Sequence, residues 1–118
     1  MRYMLMFVDT DTDWSGVPDE ERDRMFQTIG AWWGKHSESG KIVGGEQLQP
    51  AATAKTVTHT GNGKTVVTDG PFIEAKERIG GYAIVNVGGL EDALELARTW
   101  PAGGKVEVRP LVAMEHDH

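Results

Sequence analysis

The chain contains no cysteine in its 118 residues. That absence excludes disulfide bonds, thiolate nucleophiles and sulfur ligands for a metal, and it is typical of proteins from a reducing compartment. Long apolar runs are missing as well, since the longest, Met4 to Val8, is far shorter than the roughly 20 residues that cross a bilayer. The N-terminus also lacks the pattern of a signal peptide. We therefore expect a cytoplasmic protein that does not associate with membranes.

Positive charge is scarce, because 12 lysines and arginines stand against 18 aspartates and glutamates, for a formal net charge of −6. A chain with this balance does not attract a phosphate backbone, so we expect no direct binding to nucleic acid. A hydrophobic content of 39% and a charged content of 25% are ordinary for a globular protein. The length suits one core, which predicts a single domain over residues 1–118.

The first predicted strand, Arg2 to Val8, is apolar on both of its faces. Alternation places one set of side chains on each face. The two sets are Tyr3, Leu5 and Phe7, and Met4, Met6 and Val8. A strand of this kind is typical of the middle of a sheet that is covered on both sides.

Two helices are predicted, from Pro18 to Ser37 and from Leu90 to Trp100, because each segment carries an apolar stripe at helical spacing. The stripe of the first helix is Met25, Phe26, Ile29, Trp32, Trp33 and His36. The stripe of the second helix is Leu90, Ala93, Leu94, Ala97 and Trp100. Gly30 and Gly34 interrupt this helix at a cost of about 1 kcal/mol each relative to alanine. We therefore expect a close packing contact at these glycines.

The remaining apolar segments read as strands, and Gly61-Asn62-Gly63 is a hairpin turn between two of them. These strands are predicted at 41–48, 55–59, 64–68, 82–87 and 105–111. The resulting order is a split βαβ pair with an inserted β-hairpin, which is an α+β fold of the ferredoxin-like kind. Both helices then cover one face of the sheet. We expect a second copy to cover the other face, giving a homodimer with the form of a dimeric α+β barrel.

A run of charged and turn residues between 69 and 77 is the most distinctive segment of the chain. Asp69 and Glu74 are candidate proton acceptors there, and Lys76 is a candidate for stabilising a negative substrate group. The structural alternative is that Asp69 caps a turn set by Pro71, while Lys76 is solvated.

The last strand alternates, and it is predicted to direct Glu107 and Arg109 toward the face without helices, where Glu46 of the second strand is also expected to be enclosed. A charge enclosed by a partner must form an ion pair or bind an ion of opposite charge. Arg109 is therefore expected either to hold a carboxylate ligand or to pair with a glutamate across the interface.

The four histidines do not form a metal motif. His36 lies on the stripe of the first helix and His59 in the hairpin, so their spacing does not bring them together. A lone histidine near a helix end is typically structural, and a frayed tail carrying His116 and His118 is a poor metal site. We predict no metal and no cofactor.

The motif Asp69-Gly70-Pro71-Phe72, followed by Glu74, Lys76, Glu77 and Gly80-Gly81-Tyr82, resembles the DGPF branch of the YCII-related proteins. The segments 44–50 and 107–111 are similar to the second and the closing strand of that family. The resemblance implies a dimeric α+β barrel with a pocket between two sheets. The residues expected to contact a ligand are Glu46, Glu74, Lys76, Tyr82, Glu107 and Arg109.

The resemblance implies two classes of role. A related branch includes a dehydrochlorinase-type enzyme thought to use a histidine and an aspartate. Asp69 matches that aspartate. Residues 18–29, where that branch has its histidine, contain none, so His36 would have to take its place. Other members are encoded beside, or fused to, extracytoplasmic-function sigma factors, which implies a ligand-sensing or regulatory partner.

Three hypotheses follow. The first is a small-molecule-binding or regulatory dimer without catalysis. The second is a small acid/base enzyme, such as a lyase, acting on an anionic or phenolic substrate with Asp69 as base and Lys76 or Arg109 as anion holder. The third is a structural dimer without a ligand.

Overall fold

The computed structural model of the chain describes residues 1–10, 16–49, 51–70 and 77–113. In chain order the elements are β1 (Arg2–Thr10), α1 (Asp19–Glu38), β2 (Ile42–Gln47), a short 3-10 helix (Ala51–Thr53), β3 (Lys55–Gly61), β4 (Lys64–Asp69), β5 (Glu77–Asn86), α2 (Leu90–Arg98) and β6 (Lys105–Pro110). This is the predicted order of elements. Most boundaries fall within two residues of the predicted ones.

The main sheet has the strand order β2-β5-β1-β6, and every neighbouring pair is antiparallel. β5 lies between β1 and β2, so the first βαβ unit is split by a strand from the second half of the chain. This arrangement confirms the predicted α+β fold of the ferredoxin-like kind.

The core lies between the sheet and the helices. From β1 it takes Tyr3, Leu5 and Phe7, all buried, as alternation predicts. Phe7 stacks on Trp100 with ring centroids 3.9 Å apart and meets Trp32 edge to face at 5.7 Å. The remaining buried members of the core cluster are Trp32, Ile42, Ala83, Val85, Ala93 and Leu96. One face of the sheet is therefore completed by aromatic and aliphatic packing within the chain.

The buried residues of the helices differ from the predicted apolar stripes at Phe26, Leu90 and Leu96. Phe26 is 61% exposed and Leu90 is 50% exposed, although both were expected to be buried, and Leu96 is buried in place of Leu90. Phe26 is exposed because it lines an open groove between α1 and β2. The close packing expected at Gly30 and Gly34 is also wrong, since a β-carbon added at either would meet nothing within 4 Å.

β5 begins at Glu77, five residues before the predicted start at Tyr82. Gly80 and Gly81 lie inside this strand, and Gly80 is the extra residue of a bulge in β5, where the pairing with β1 shifts between Phe7 and Val8. A β-carbon at Gly81 would lie 3.1 Å from the carbonyl oxygen of Glu46, so a glycine lets β2 and β5 approach closely.

The hairpin β3–β4 forms a separate two-stranded sheet. Its turn is the predicted one, with positive φ angles of 54° at Asn62 and 74° at Gly63. We call residues 55–69 the arm. All of them except Thr56 are exposed.

Candidate functional site

The face of the main sheet that carries no helix, which we call the open face, brings four of the predicted ligand residues together. Directly opposed residues of neighbouring strands share a face, so the strand register gives the rows across the sheet. One row is Glu46, Tyr82, Met6 and Glu107, and the next is Gly44, Ile84, Met4 and Arg109. Sequence reasoning had named Glu46, Tyr82, Glu107 and Arg109 without showing that they lie on adjacent rows.

The open face is apolar in its middle and charged at its two edges. Met4, Met6, Val8, Tyr82 and Ile84 are only half-buried. Glu46 lies on the edge strand β2, while Glu107 and Arg109 lie on the opposite edge strand β6. With neighbouring strands about 4.8 Å apart, the two charged edges are separated by about 14 Å at the backbone. A flat apolar or aromatic molecule would fit between them.

Arg109 is the cation that lies beside Glu107 on this face. Its Nη2 lies 3.4 Å from Oε2 of Glu107 on the same strand, with the side chains 70% and 52% exposed. The sequence predicted either a carboxylate ligand or a glutamate across an interface, and the pair observed within the chain is a third arrangement. An exposed pair of this kind contributes at most about 1 kcal/mol. A guanidinium has five N–H donors, so a single contact leaves donors for an anionic ligand.

Tyr82 lies between Glu46 and Met6 in its row. The strands pack closely here because Gly45 of β2 has a φ of 124° and no β-carbon; one placed there would be 2.3 Å from the carbonyl oxygen of Tyr82. The register places Tyr82 directly opposite Glu46 across these two strands. A phenol beside a carboxylate offers both a donor and an acceptor to a polar ligand group.

Asp69 lies at the base of the arm, away from these rows. Its Oδ1 accepts a hydrogen bond of 2.5 Å from Nζ of Lys55, and its side chain is 88% exposed. The following residue, Gly70, has a φ of 88° and donates its N–H to the carbonyl of Ala54, which closes the arm. The structural alternative, in which Asp69 caps a turn set by Pro71, stays a prediction. Pro71, Glu74 and Lys76 lie outside the described residues, so their predicted roles stay predictions.

His36 lies in the helix layer, on the other side of the sheet. It is buried in the last turn of α1, with its ring centroid 5.1 Å from that of Trp32. Desolvation lowers the pKa of His36, and the positive charges of Lys41 and Lys35 add to the effect. No hydrogen bond or ion pair within residues 1–10, 16–49, 51–70 and 77–113 joins His36 to Asp69.

A second concave feature lies between α1 and the edge strand β2. This groove has a volume of about 470 Å³ and is lined by Phe26, Ile29, Gly30, Trp33, Gly45, Glu46 and Gln47. Nε1 of Trp33 is buried and has no hydrogen-bond partner in the part of the chain that the structure describes. The groove was not predicted from the sequence. Gly30 was the signal for it, because a helix glycine without a packing neighbour leaves space beside the helix.

The described residues contain no group of three or more histidine, aspartate or glutamate side chains arranged to hold a metal ion. Within the same ranges, no helix is both long enough and apolar enough to span a bilayer.

The topology and the two-sided sheet define an α+β protein of the ferredoxin-like class. Comparison with protein families then identifies it further. The YCII-related domain matches residues 1–115, so the chain belongs to the YCII-related family. It is also 34% identical, over 115 residues, to the uncharacterized protein R00369 of Rhizobium meliloti (strain 1021). That alignment covers 94% of this chain and 92% of the Rhizobium protein.

Proposed function

We propose that this YCII-family protein is a cytoplasmic homodimer that binds a small anionic or aromatic molecule between the open faces of its two copies. The observation that carries the proposal is the arrangement of the open face, where half-buried apolar residues lie between Glu46 on one edge and Arg109 on the other. Such a surface combines an apolar floor with a few polar groups that orient a ligand.

The need for a second copy follows from the surface that the single chain exposes. Its accessible area is 8696 Å². A compact monomer of 12.9 kDa exposes about 6,300 Å². The excess is larger than the roughly 800 Å² per partner that a stable interface buries. Covering Met4, Met6 and Ile84 with the same surface of a second copy would remove part of this excess.

Enclosure by a second copy would also strengthen the electrostatics of the site. The pair between Arg109 and Glu107 is exposed to water in the single chain. Between two sheets the effective dielectric constant falls, so a carboxylate or phenolate on the guanidinium of Arg109 is held more firmly. A site of this kind binds a ligand without requiring a catalytic base.

A binding role is favoured over catalysis by the positions of Asp69 and His36. Asp69 is exposed at the base of the arm and pairs with Lys55, and His36 is buried against Trp32 in the helix layer. The resemblance to the DGPF branch adds a regulatory role beside a sigma factor to the proposal, with ligand binding as the sensed event.

Thermal unfolding of the purified protein with a panel of small carboxylic acids and phenols tests this function. A ligand at 100 times its dissociation constant stabilises the native state by about 2.7 kcal/mol, which raises the melting temperature. We expect Arg109→Ala to abolish the shift. Arg98→Ala is the matched control, because Arg98 also pairs with a glutamate, Glu95, but lies on α2. A shift that persists in Arg109→Ala, or no shift with any compound, would contradict the proposal.

A further inference from the structure

The arm, residues 55–69, is the part of the molecule that the folded chain leaves without support. β3 and β4 pair only with each other within the described residues, and neither packs extensively against the main sheet or the helices. An isolated two-stranded hairpin is marginally stable in water. An arm of this length therefore needs a surface to pack against.

The dimensions of the chain show that this surface is not its own body. The radius of gyration is 16.7 Å, whereas a compact chain of 118 residues has about 13.5 Å. The molecule measures 48 × 47 × 19 Å, so it is wide and only as thick as one sheet with one layer of helices. The arm extends this plate sideways and does not fold back over the open face.

The two faces of the arm differ in polarity. On one face Val57 and Val67 are directly opposed, and Val67 is 63% exposed. The same face carries the Lys55–Asp69 ion pair on one side of the valines and His59 opposite Thr65 on the other. Opposed valines form an apolar cross-strand pair that is suited to burial. The other face carries one valine, Val66, among threonines; its opposed pairs are Thr56 with Thr68 and Thr58 with Val66. The face of Val57 and Val67 is therefore the face that gains most from a partner.

The charge of the arm selects an acidic partner. Lys55, Lys64 and Asp69 give the arm a net charge of +1 with His59 neutral, which leaves −7 on the rest of the chain. A second copy of this chain presents such an acidic body.

We propose that the arm is a clasp between two copies of the chain: the Val57–Val67 face of each arm packs against the body of the other copy. This inference rests on the dimer of the proposed function. Twofold symmetry makes the contact reciprocal, so both arms are buried in one association step. Removing one valine contact therefore weakens the dimer twice.

Two neighbouring substitutions test the clasp. Val67→Asp places a carboxylate on the Val57–Val67 face, and Val66→Asp places the same group one residue away on the opposite face. Sedimentation of each variant over a concentration series is expected to show the dimer dissociation constant raised at least about tenfold by Val67→Asp. The constant is expected to change less than about threefold in Val66→Asp. Equal effects of the two variants would overturn the assignment of the face.

A measurement on the wild-type chain complements the variants and does not depend on their folding. Amide hydrogen exchange of the arm is expected to be slow in concentrated solution and to accelerate on dilution to the monomer. A photo-crosslinking residue at position 67, in a mixture of isotope-labelled and unlabelled chains, is expected to give cross-links between chains. Cross-links within one chain, or fast arm exchange in an intact dimer, would overturn the clasp and leave the dimer standing. A chain that is monomeric throughout would overturn both.

Discussion

The two faces of the main sheet are built by the same strands, but the helices of the chain cover only one of them. Along β1, Leu5 is fully buried against the helices, whereas its neighbours Met4 and Met6 are half-buried on the open face. Alternation puts apolar side chains on both faces, yet the chain supplies helices for only one. The face covered by the helices, which we call the finished face, therefore carries a complete core, and we propose that association covers the open face.

Leu5→Ala, on the finished face, is expected to have the largest effect on the stability of the fold. Leu5 has no exposed surface, and removing a buried leucine side chain lowers the free energy of unfolding by about 3 kcal/mol. Urea denaturation followed by tryptophan fluorescence measures this loss. It is expected at all protein concentrations, because the contact is within one chain. A loss that disappears on dilution would mean that this face also depends on association.

Met6→Asp, in the middle of the open face, is expected to act on association instead. Burying a carboxylate between two apolar surfaces weakens the dimer by at least about 2 kcal/mol, or roughly 30-fold in its dissociation constant, while the monomer keeps its fold. Leu90→Asp is the control, because Leu90 is 50% exposed on the helix side at the start of α2. Equilibrium sedimentation compares the two variants, and an effect of equal size would contradict the distinction between the faces.

The dependence of folding stability on pH tests the finished face, because the buried His36 lies on that side of the sheet. Burial lowers its pKa in the folded protein below the ordinary value, so the unfolded chain takes up the proton first as the pH falls. Stability from this group is therefore complete above a pH of about 6.5 and is lost progressively as the pH falls toward the folded pKa. Denaturation between pH 8 and pH 5.5 is expected to show this decline, and His36→Gln to reduce it. If His36→Gln loses stability with falling pH to the same extent, other titratable groups cause the decline.

The helix glycines are expected to give the smallest effects. Neither Gly30 nor Gly34 packs against other atoms, so alanine at either position should stabilise α1 by about 0.5 to 1 kcal/mol. Only Gly30 lines the groove between α1 and β2. If Gly30→Ala destabilises the assembled protein while Gly34→Ala stabilises it, the groove is filled by a partner and belongs with the surfaces prepared for association.

The sequence predicted the fold well because its signals were local. The alternation of β1, the helical spacing of apolar residues in α1 and the Gly61-Asn62-Gly63 turn each determine one element without reference to the rest of the chain. The exposure of Phe26 and the early start of β5 were not predictable in this way. The exposure of Phe26 depends on how β2 lies against α1, and the early start of β5 depends on its pairing with residues 8–10 of β1.

The sequence predicted which residues belong to the candidate site, but only part of their arrangement. Alternation identified the face of Glu107 and Arg109, but their pairing with each other depends on side-chain conformation along one strand. The row that joins Glu46 to Tyr82 depends on strand register, which the bulges in β5 and β2 shift. A sequence pattern does not give that register.

The mass of the wild-type protein in solution tests the central claim most directly. If the open face is covered by a second copy, sedimentation at micromolar concentration should give twice the chain mass of 12.9 kDa, with Met6→Asp shifted toward the single chain. A wild-type protein that sediments as a stable, well-folded monomer at that concentration would contradict the account.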